Sequence, residues 1–246
     1  MSLKTLCVIP ARGGSKSIPG KNLQTIGGRS LIARAVEVAQ SCLVFDHIIV
    51  STDDAKIANI VRSDYPEVDI PFLRDASLAD DLTPLPAVSK HAFDFFAKQR
   101  FDAVFSLQPT NPFTSVETLR NSVELIKQKG VDSVVSISKI LHQHPFRAYK
   151  WDSQQQLISP LTEYTKEIFP QKQDRPDAYG FTGALYGRRS HLFANWQNSG
   201  FVLGKKTAGV IVSEEEAMDI DTPFDLEICE ALTLYRQSQN KTATQI

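Results

Sequence analysis

The sequence predicts an α/β fold: an open, mostly parallel sheet of Rossmann-like form with helices on both faces, interrupted by one long insertion. Three observations predict it. Short apolar runs of strand length recur along the chain, segments with helical apolar spacing alternate with them, and the first run opens into a loop rich in glycine and cations. With 246 residues, 42% hydrophobic and 22% charged, the chain can bury one sizeable core.

Leu6-Cys7-Val8-Ile9 is continuously apolar and stops at Pro10, which reads as a strand buried on both faces. Residues 31–42 carry a helical stripe through Leu31, Ile32, Ala35, Val36, Ala39 and Cys42. A second strand is expected at 47–51, and Asp53 is expected to cap a helix near 55–62. Thr83 and Pro84 suit the cap and first position of a helix running past Phe93 to Phe96. Residues 103–107 form a third strand. Thr114 with Glu117 gives a capping-box pattern for a helix to about 129, and 133–137 form a fourth strand.

Between about 139 and 179 the periodicity fails, although Phe146, Trp151, Leu157, Ile158 and Phe169 lie there. That length suits an arm or dimerisation insertion rather than a plain connection. Strands resume at 183–186 and 209–212, and the Thr222-Pro223-Phe224-Asp225 run opens a last helix through Tyr235. Residues 1–237 thus read as a single domain with its arm at about 139–179, and 238–246 as a polar tail that frays.

Composition excludes several function classes. Twenty-seven Lys and Arg against 28 Asp and Glu leave a net charge of −1, so no global basic field exists to hold a nucleic acid or an anionic membrane. Cys7, Cys42 and Cys229 are far apart and lack a C-x-x-C pair, which suits a reducing cytoplasm better than a disulfide framework. The first apolar run is too soon interrupted for a secretion signal, and no apolar stretch approaches the ~18 residues of a membrane helix.

The chemistry concentrates in residues 10–22, Pro-Ala-Arg-Gly-Gly-Ser-Lys-Ser-Ile-Pro-Gly-Lys-Asn. A loop after the first strand of a parallel sheet sits where ligands bind. Gly13 and Gly14 let backbone N–H groups approach an anion closely, and Arg12, Lys16 and Lys21 offer cations, a match for a polyphosphate, with Ala11 and Ser15 counted among the nucleotide-binding residues of the loop. The loop is not a Walker A motif, because Ser15 stands at its first glycine and Asn22 at its Ser or Thr. A second feature is Asp219-Ile220-Asp221. In an extended segment both carboxylates share one face and suit Mg²⁺, whereas a turn before the last helix would explain them without a metal. His142 and His144 have no third ligand spaced nearby, which favours a loop role.

The loop resembles the I-P-A-R-x-x-S-K-x-[IL]-P-x-K-N signature of the acylneuraminate cytidylyltransferase (CMP-sialic acid synthetase) family. The order of Ile48 to Asp53, Leu73-Arg74, Leu107 to Pro112, His144-Pro145, Gly183 to Tyr186 and Asp219 to Thr222 extends the resemblance over nearly the whole chain. It implies a nucleotidyltransferase-type sheet and transfer of CMP from CTP to a nine-carbon α-keto acid sugar of the sialic, legionaminic or pseudaminic type. In that reading Arg12 and Lys21 act on the triphosphate, Asn22 and Arg74 help hold the nucleotide, and Gln108 touches the sugar. Asp219 and Asp221 hold Mg²⁺, and the arm crosses to a second subunit of a homodimer, carrying Arg147 to the partner's sugar site. Where the family has Y-R-x-N-G-A this chain has Tyr179-Gly180-Phe181-Thr182-Gly183-Ala184. Thr182 then takes a substrate-binding position, and Arg175 or Arg147 is left to meet the sugar carboxylate. Weighed against this are an eight-carbon Kdo-type sugar cytidylyltransferase and a non-catalytic nucleotide sensor.

Overall fold

A computed structural model describes residues 3–80, 82–161, 163, 175–194, 196 and 200–243, for 240–243 the backbone alone. In chain order the elements are β1 (Thr5–Pro10), β2 (Thr25–Ile26), β3 (Arg29–Ser30), α1 (Leu31–Ser41), β4 (His47–Ser51), α2 (Ala55–Asp64), α3 (Leu85–Phe95), β5 (Ala103–Leu107), α4 (Val116–Lys127) and β6 (Ser133–Lys139). They continue with β7 (Tyr149–Asp152), β8 (Leu157–Pro160), β9 (Tyr179–Arg189), α5 (His191–Ala194), β10 (Thr207–Ile211) and α6 (Pro223–Ala243). Six strands form the central sheet in the order β10-β6-β9-β5-β1-β4. Its pairings are parallel except those of β9, which runs antiparallel to both β5 and β6.

The uninterrupted apolar runs fill both sheet faces. Cys7, Ile9, Phe105 and Leu107 meet Ile32 and Val36 of α1, Ile57 and Val61 of α2, and Leu119 and Val123 of α4. Their strand neighbours Leu6, Val8 and Val104 meet Ala92, Phe96 and Phe193 on the other face. A third cluster, Ile18, Ile26, Leu31, Ile220 and Cys229, ties the glycine-rich loop to the segment before α6. All three cysteines are buried and reduced. Among the described residues no helix is long and apolar enough to cross a membrane.

Several helix starts differ from expectation by one residue. Asp54, not Asp53, caps α2, its side chain accepting from the Lys56 and Ile57 amides. Helix α3 begins at Leu85 behind Pro84, with Pro86 in its first turn, while the Thr83 hydroxyl bonds Asp80 and Ser77 instead of capping. Ser115, not Thr114, caps α4, and its own amide is received by Glu216 from a distant segment rather than by Glu117. The reciprocal box at α6 is as expected: Asp225 N–H donates to the Thr222 hydroxyl oxygen, and Thr222 N–H to Asp225 Oδ2. That helix continues past Tyr235 to Ala243, into the stretch expected to fray.

The segment expected to lack periodicity contains a hairpin. Strands β7 and β8 pair antiparallel, leaving Tyr149, Trp151, Leu157 and Ile158 exposed. Phe169 lies outside the described residues.

Gly187 in β9 has a strict steric reason. A Cβ there would stand 2.5 Å from Phe105 Cε1 and 2.8 Å from its Cδ1. Gly187→Ala should therefore destabilise the protein by about 1–3 kcal/mol, through overpacking a ring fixed at the centre of the sheet. A urea denaturation midpoint unchanged from that of the parent would show that the ring can move aside.

Candidate active site

β1 lies between β4 and β5, so the connections leaving it and returning beside it go to opposite sides. The carboxyl end of β1 is therefore a topological switch point, where a crevice must open. The glycine-rich loop starts there. Ala11, fully buried, donates its N–H to Ser51 O at 2.9 Å. Gly13 N–H donates to Asp53 Oδ1 at 3.0 Å, so this amide is already committed and only part of the loop is left to cradle an anion. Asn22 is buried and its side-chain amide donates to Arg12 O at 2.8 Å, closing the loop on itself from behind. Gly20 takes the left-handed conformation (φ 60°) that turns the chain into Lys21.

Lys21 then points across the crevice. Its ammonium donates to Ile220 O at 2.7 Å and to Asp221 Oδ1 at 3.2 Å. Ile220 is buried in the third cluster, while its neighbours Asp219 and Asp221 both line the cleft. Residues 108–111 brace this pair from the end of β5. Thr110 O accepts from Ile220 N–H at 2.9 Å. Asn111 donates to Met218 O at 3.0 Å and to Thr182 O at 3.1 Å. Gln108 Nε2 donates to Gly183 O at 2.6 Å.

The cleft measures about 310 Å³ and is lined by Arg12, Ser15, Lys21, Arg74, Gln108, Asp219 and Asp221, with Leu78, Leu85 and Val88 as its apolar side. A hollow of about 420 Å³ adjoins it across Leu78, Asp80 and Thr83, with Lys90 and His91 on its wall. Burial pushes the Asp219 carboxyl above its ordinary value, and Asp221 adds to this, against the Thr110 hydroxyl and Lys21. Its Oδ1 is buried without a hydrogen-bond partner. An unmatched carboxylate oxygen beside a second carboxylate suits a hard divalent cation that completes its shell with phosphate oxygens and water. Among the described residues no group of three or more His, Cys, Asp or Glu could hold a metal without such help.

The expected site residues therefore divide. Arg12, Ser15, Lys21, Arg74, Gln108, Asp219 and Asp221 converge, while Ala11, Gly13 and Asn22 support the loop. A Cβ on Gly14 would meet nothing within 4 Å. Thr182 does not line the cleft: its hydroxyl lies 2.7 Å from Ser136 Oγ inside the sheet. Arg147 is exposed on a short turn at residues 145–147 of the arm and does not line the cleft. His144 has a loop role, accepting from Phe146 N–H and meeting Pro176 O. Sequence reasoning gave Thr110 and Asn111 no role, although they follow the central strand at the position that faces the carboxylate pair. It also took Asp53 for a helix cap, although only one of two adjacent aspartates can fill that place.

A switch-point cleft with cations on one wall and paired carboxylates on the other defines a nucleotide-handling α/β protein. The comparisons give its family: residues 6–237 match the cytidylyltransferase family model, and the chain belongs to that family. It is 34% identical to a CMP-N,N'-diacetyllegionaminic acid synthase of Legionella pneumophila, over 94% of this chain and 96% of that one. It is 29% identical to a pseudaminic acid cytidylyltransferase of Campylobacter jejuni, again over 94% and 96%. A solved CMP:2-keto-3-deoxy-manno-octonic acid synthetase complexed with CTP shares the fold, with a TM-score of 0.68 at 18% identity over 95% of this chain and 99% of that one.

Gly183 tests the geometry of the carboxylate pair. It has φ +82°, and a Cβ would lie 3.2 Å from Asp219 Oδ2. Gly183→Ala should lower turnover at least about tenfold, while the backbone strain costs only about 1 kcal/mol of stability. A turnover number equal to that of the parent would mean that Asp219 need not hold its position.

Proposed function

We propose that this protein transfers CMP from CTP to the anomeric hydroxyl of a nine-carbon α-keto acid sugar of the legionaminic, pseudaminic or sialic type, releasing pyrophosphate. The observation that carries the reading is the cleft in which Lys21, Arg12 and Arg74 face Asp219 and Asp221. The similarity over nearly full length to synthases of CMP-linked nonulosonic acids supports the sugar class.

In this mechanism Arg12, Arg74 and Lys21 offset the triphosphate charge and orient the α-phosphorus toward the sugar. The hydroxyl oxygen attacks that phosphorus in line; the new O–P bond forms as the bond to the β-phosphate bridging oxygen breaks, and the hydroxyl proton is released. Lys21 then neutralises charge growing on the departing pyrophosphate, a contribution that a fixed cation makes without reorganisation. Gln108, its amide nitrogen already bound to Gly183 O, keeps its amide oxygen for a sugar hydroxyl. Asp219 and Asp221 would hold Mg²⁺, which supplies further positive charge to the phosphate oxygens. The cytoplasm is the compartment where CTP and reduced cysteines coexist.

A panel of keto acid sugars with CTP and Mg²⁺, scored for pyrophosphate, tests the reaction. Nine-carbon acids should give product and Lys21→Ala should lose more than about a hundredfold of the rate with its fold intact, because the buried cluster of Ile18, Ile26, Leu31, Ile220 and Cys229 holds the loop to residues 219–221 without the ammonium and the exposed Asp221 adds little stability. Product from eight-carbon acids alone, or none from any sugar, would overturn the reading.

The working unit in this proposal is a homodimer. The exposed Tyr149, Trp151, Leu157 and Ile158 of the β7–β8 hairpin support it, since such side chains gain from meeting a second surface. Arg147 then reaches the partner's sugar. Mixing Lys21→Ala with Arg147→Ala subunits under exchange should restore up to about one working site per heterodimer, because one site carries both lesions and the other neither. A monomeric active enzyme, or no recovery after proven exchange, would contradict the shared site.

A further inference from the structure

The turn after β4 carries two adjacent aspartates whose side chains do different work. Asp54 Oδ1 accepts from Lys56 N–H at 2.6 Å and Ile57 N–H at 3.3 Å and starts α2. Asp53 turns to the glycine-rich loop and Arg74 instead. One oxygen, Oδ1, accepts the Gly13 N–H of the glycine-rich loop at 3.0 Å and lies 3.7 Å from Arg74 Nη2.

Arg74 needs such a neighbour. Its side chain is only 2% exposed, its Nε is buried without a hydrogen-bond partner, and burial together with the nearby Arg12 works against its charge. The acid that opposes this effect is Asp53. At 3.7 Å the contact is an ion pair rather than a hydrogen bond, so Asp53 offsets the cost of burying the guanidinium without consuming its donors. The loop, for its part, sits so closely on the turn that a Cβ on Gly13 would lie 2.7 Å from Asp54 Cβ.

We infer that Asp53 is a positioning residue that couples the phosphate-facing loop to Arg74, fixing both against the turn so that they meet the nucleotide triphosphate as one preorganised surface. This deepens the proposed cytidylyl transfer and rests on it for the identity of the nucleotide. Asp53 touches neither substrate; it acts through Gly13 and Arg74.

Three variants separate the parts. Asp53→Asn keeps an oxygen for Gly13 N–H but removes the charge facing Arg74; Asp53→Ala removes both; Asp54→Ala removes only the helix cap. CTP binding is read by calorimetry without sugar, beside KM and kcat with sugar, and thermal midpoints are recorded. Asp53→Asn should weaken CTP binding and raise its KM about tenfold with little change in midpoint, and Asp53→Ala should do so more strongly. Asp54→Ala should lower the midpoint and leave the KM for CTP within about twofold. In an Arg74→Ala background, Asp53→Asn should cost less than about twofold, because its partner is already gone. A parent-like KM in Asp53→Asn, or an equal penalty with and without Arg74, would overturn the inference. Failure of the parent protein to bind CTP would overturn the functional reading beneath it, a result distinguishable because it precedes any variant.

Discussion

The contact on which the site depends joins residues 199 positions apart: the Lys21 ammonium on the carbonyl of Ile220, with Asp221 beside it. It closes the cleft by bringing the loop that leaves the first strand to the segment that enters the last helix. The sheet order makes this reach possible, since β1 lies near one edge and its loop emerges where connections diverge. The cluster of Ile18, Ile26, Leu31, Ile220 and Cys229 makes it durable by burying the apolar side of both segments. Folding the core and assembling the site are thus largely one event.

The electrostatics follow from that geometry. A chain with a net charge of −1 has no long-range attraction for a polyanion, so binding has to come from local arrangement. Lys21 and Asp221 are held within ion-pair distance, the buried Arg74 is matched by Asp53, and Asp219 is buried far enough to favour a counter-charge. Residues 108–111 supply the stiffness. Their hydrogen bonds to residues 182–183, Met218 and Ile220 fix the acidic wall to the central strands, so that the opposed charges keep their spacing.

Much of this was legible in the sequence. The four apolar runs at the heads of β1, β4, β5 and β6 were visible because a strand buried on both faces leaves no polar interruption. The cation loop and the D-x-D pair stood out because both are dense in charge and sit beside element ends. What stayed hidden depended on choices between neighbours. Asp53 and Asp54, or Thr114 and Ser115, are equally able caps, and backbone direction alone decides between them. Strand β9 extends beyond the expected 183–186 at both ends, from Tyr179 to Arg189. Arg188 is fully buried, donating to Phe201 O and Ser106 and lying over the Tyr186 ring. The β7–β8 hairpin escaped because its strands are wholly exposed and show no alternation between core and solvent. Thr182 matched a binding position by alignment of motifs, yet its hydroxyl is spent on Ser136 within the sheet.

The most direct test of the central claim is a crystal structure of the protein with CTP. The account predicts the triphosphate between the loop and residues 219–221, with Arg12 and Arg74 on its oxygens and the Lys21 ammonium drawn from the Ile220 carbonyl to a phosphate. A nucleotide seated instead in the adjoining hollow beside Lys90 and His91, with Lys21 still on Ile220, would contradict it.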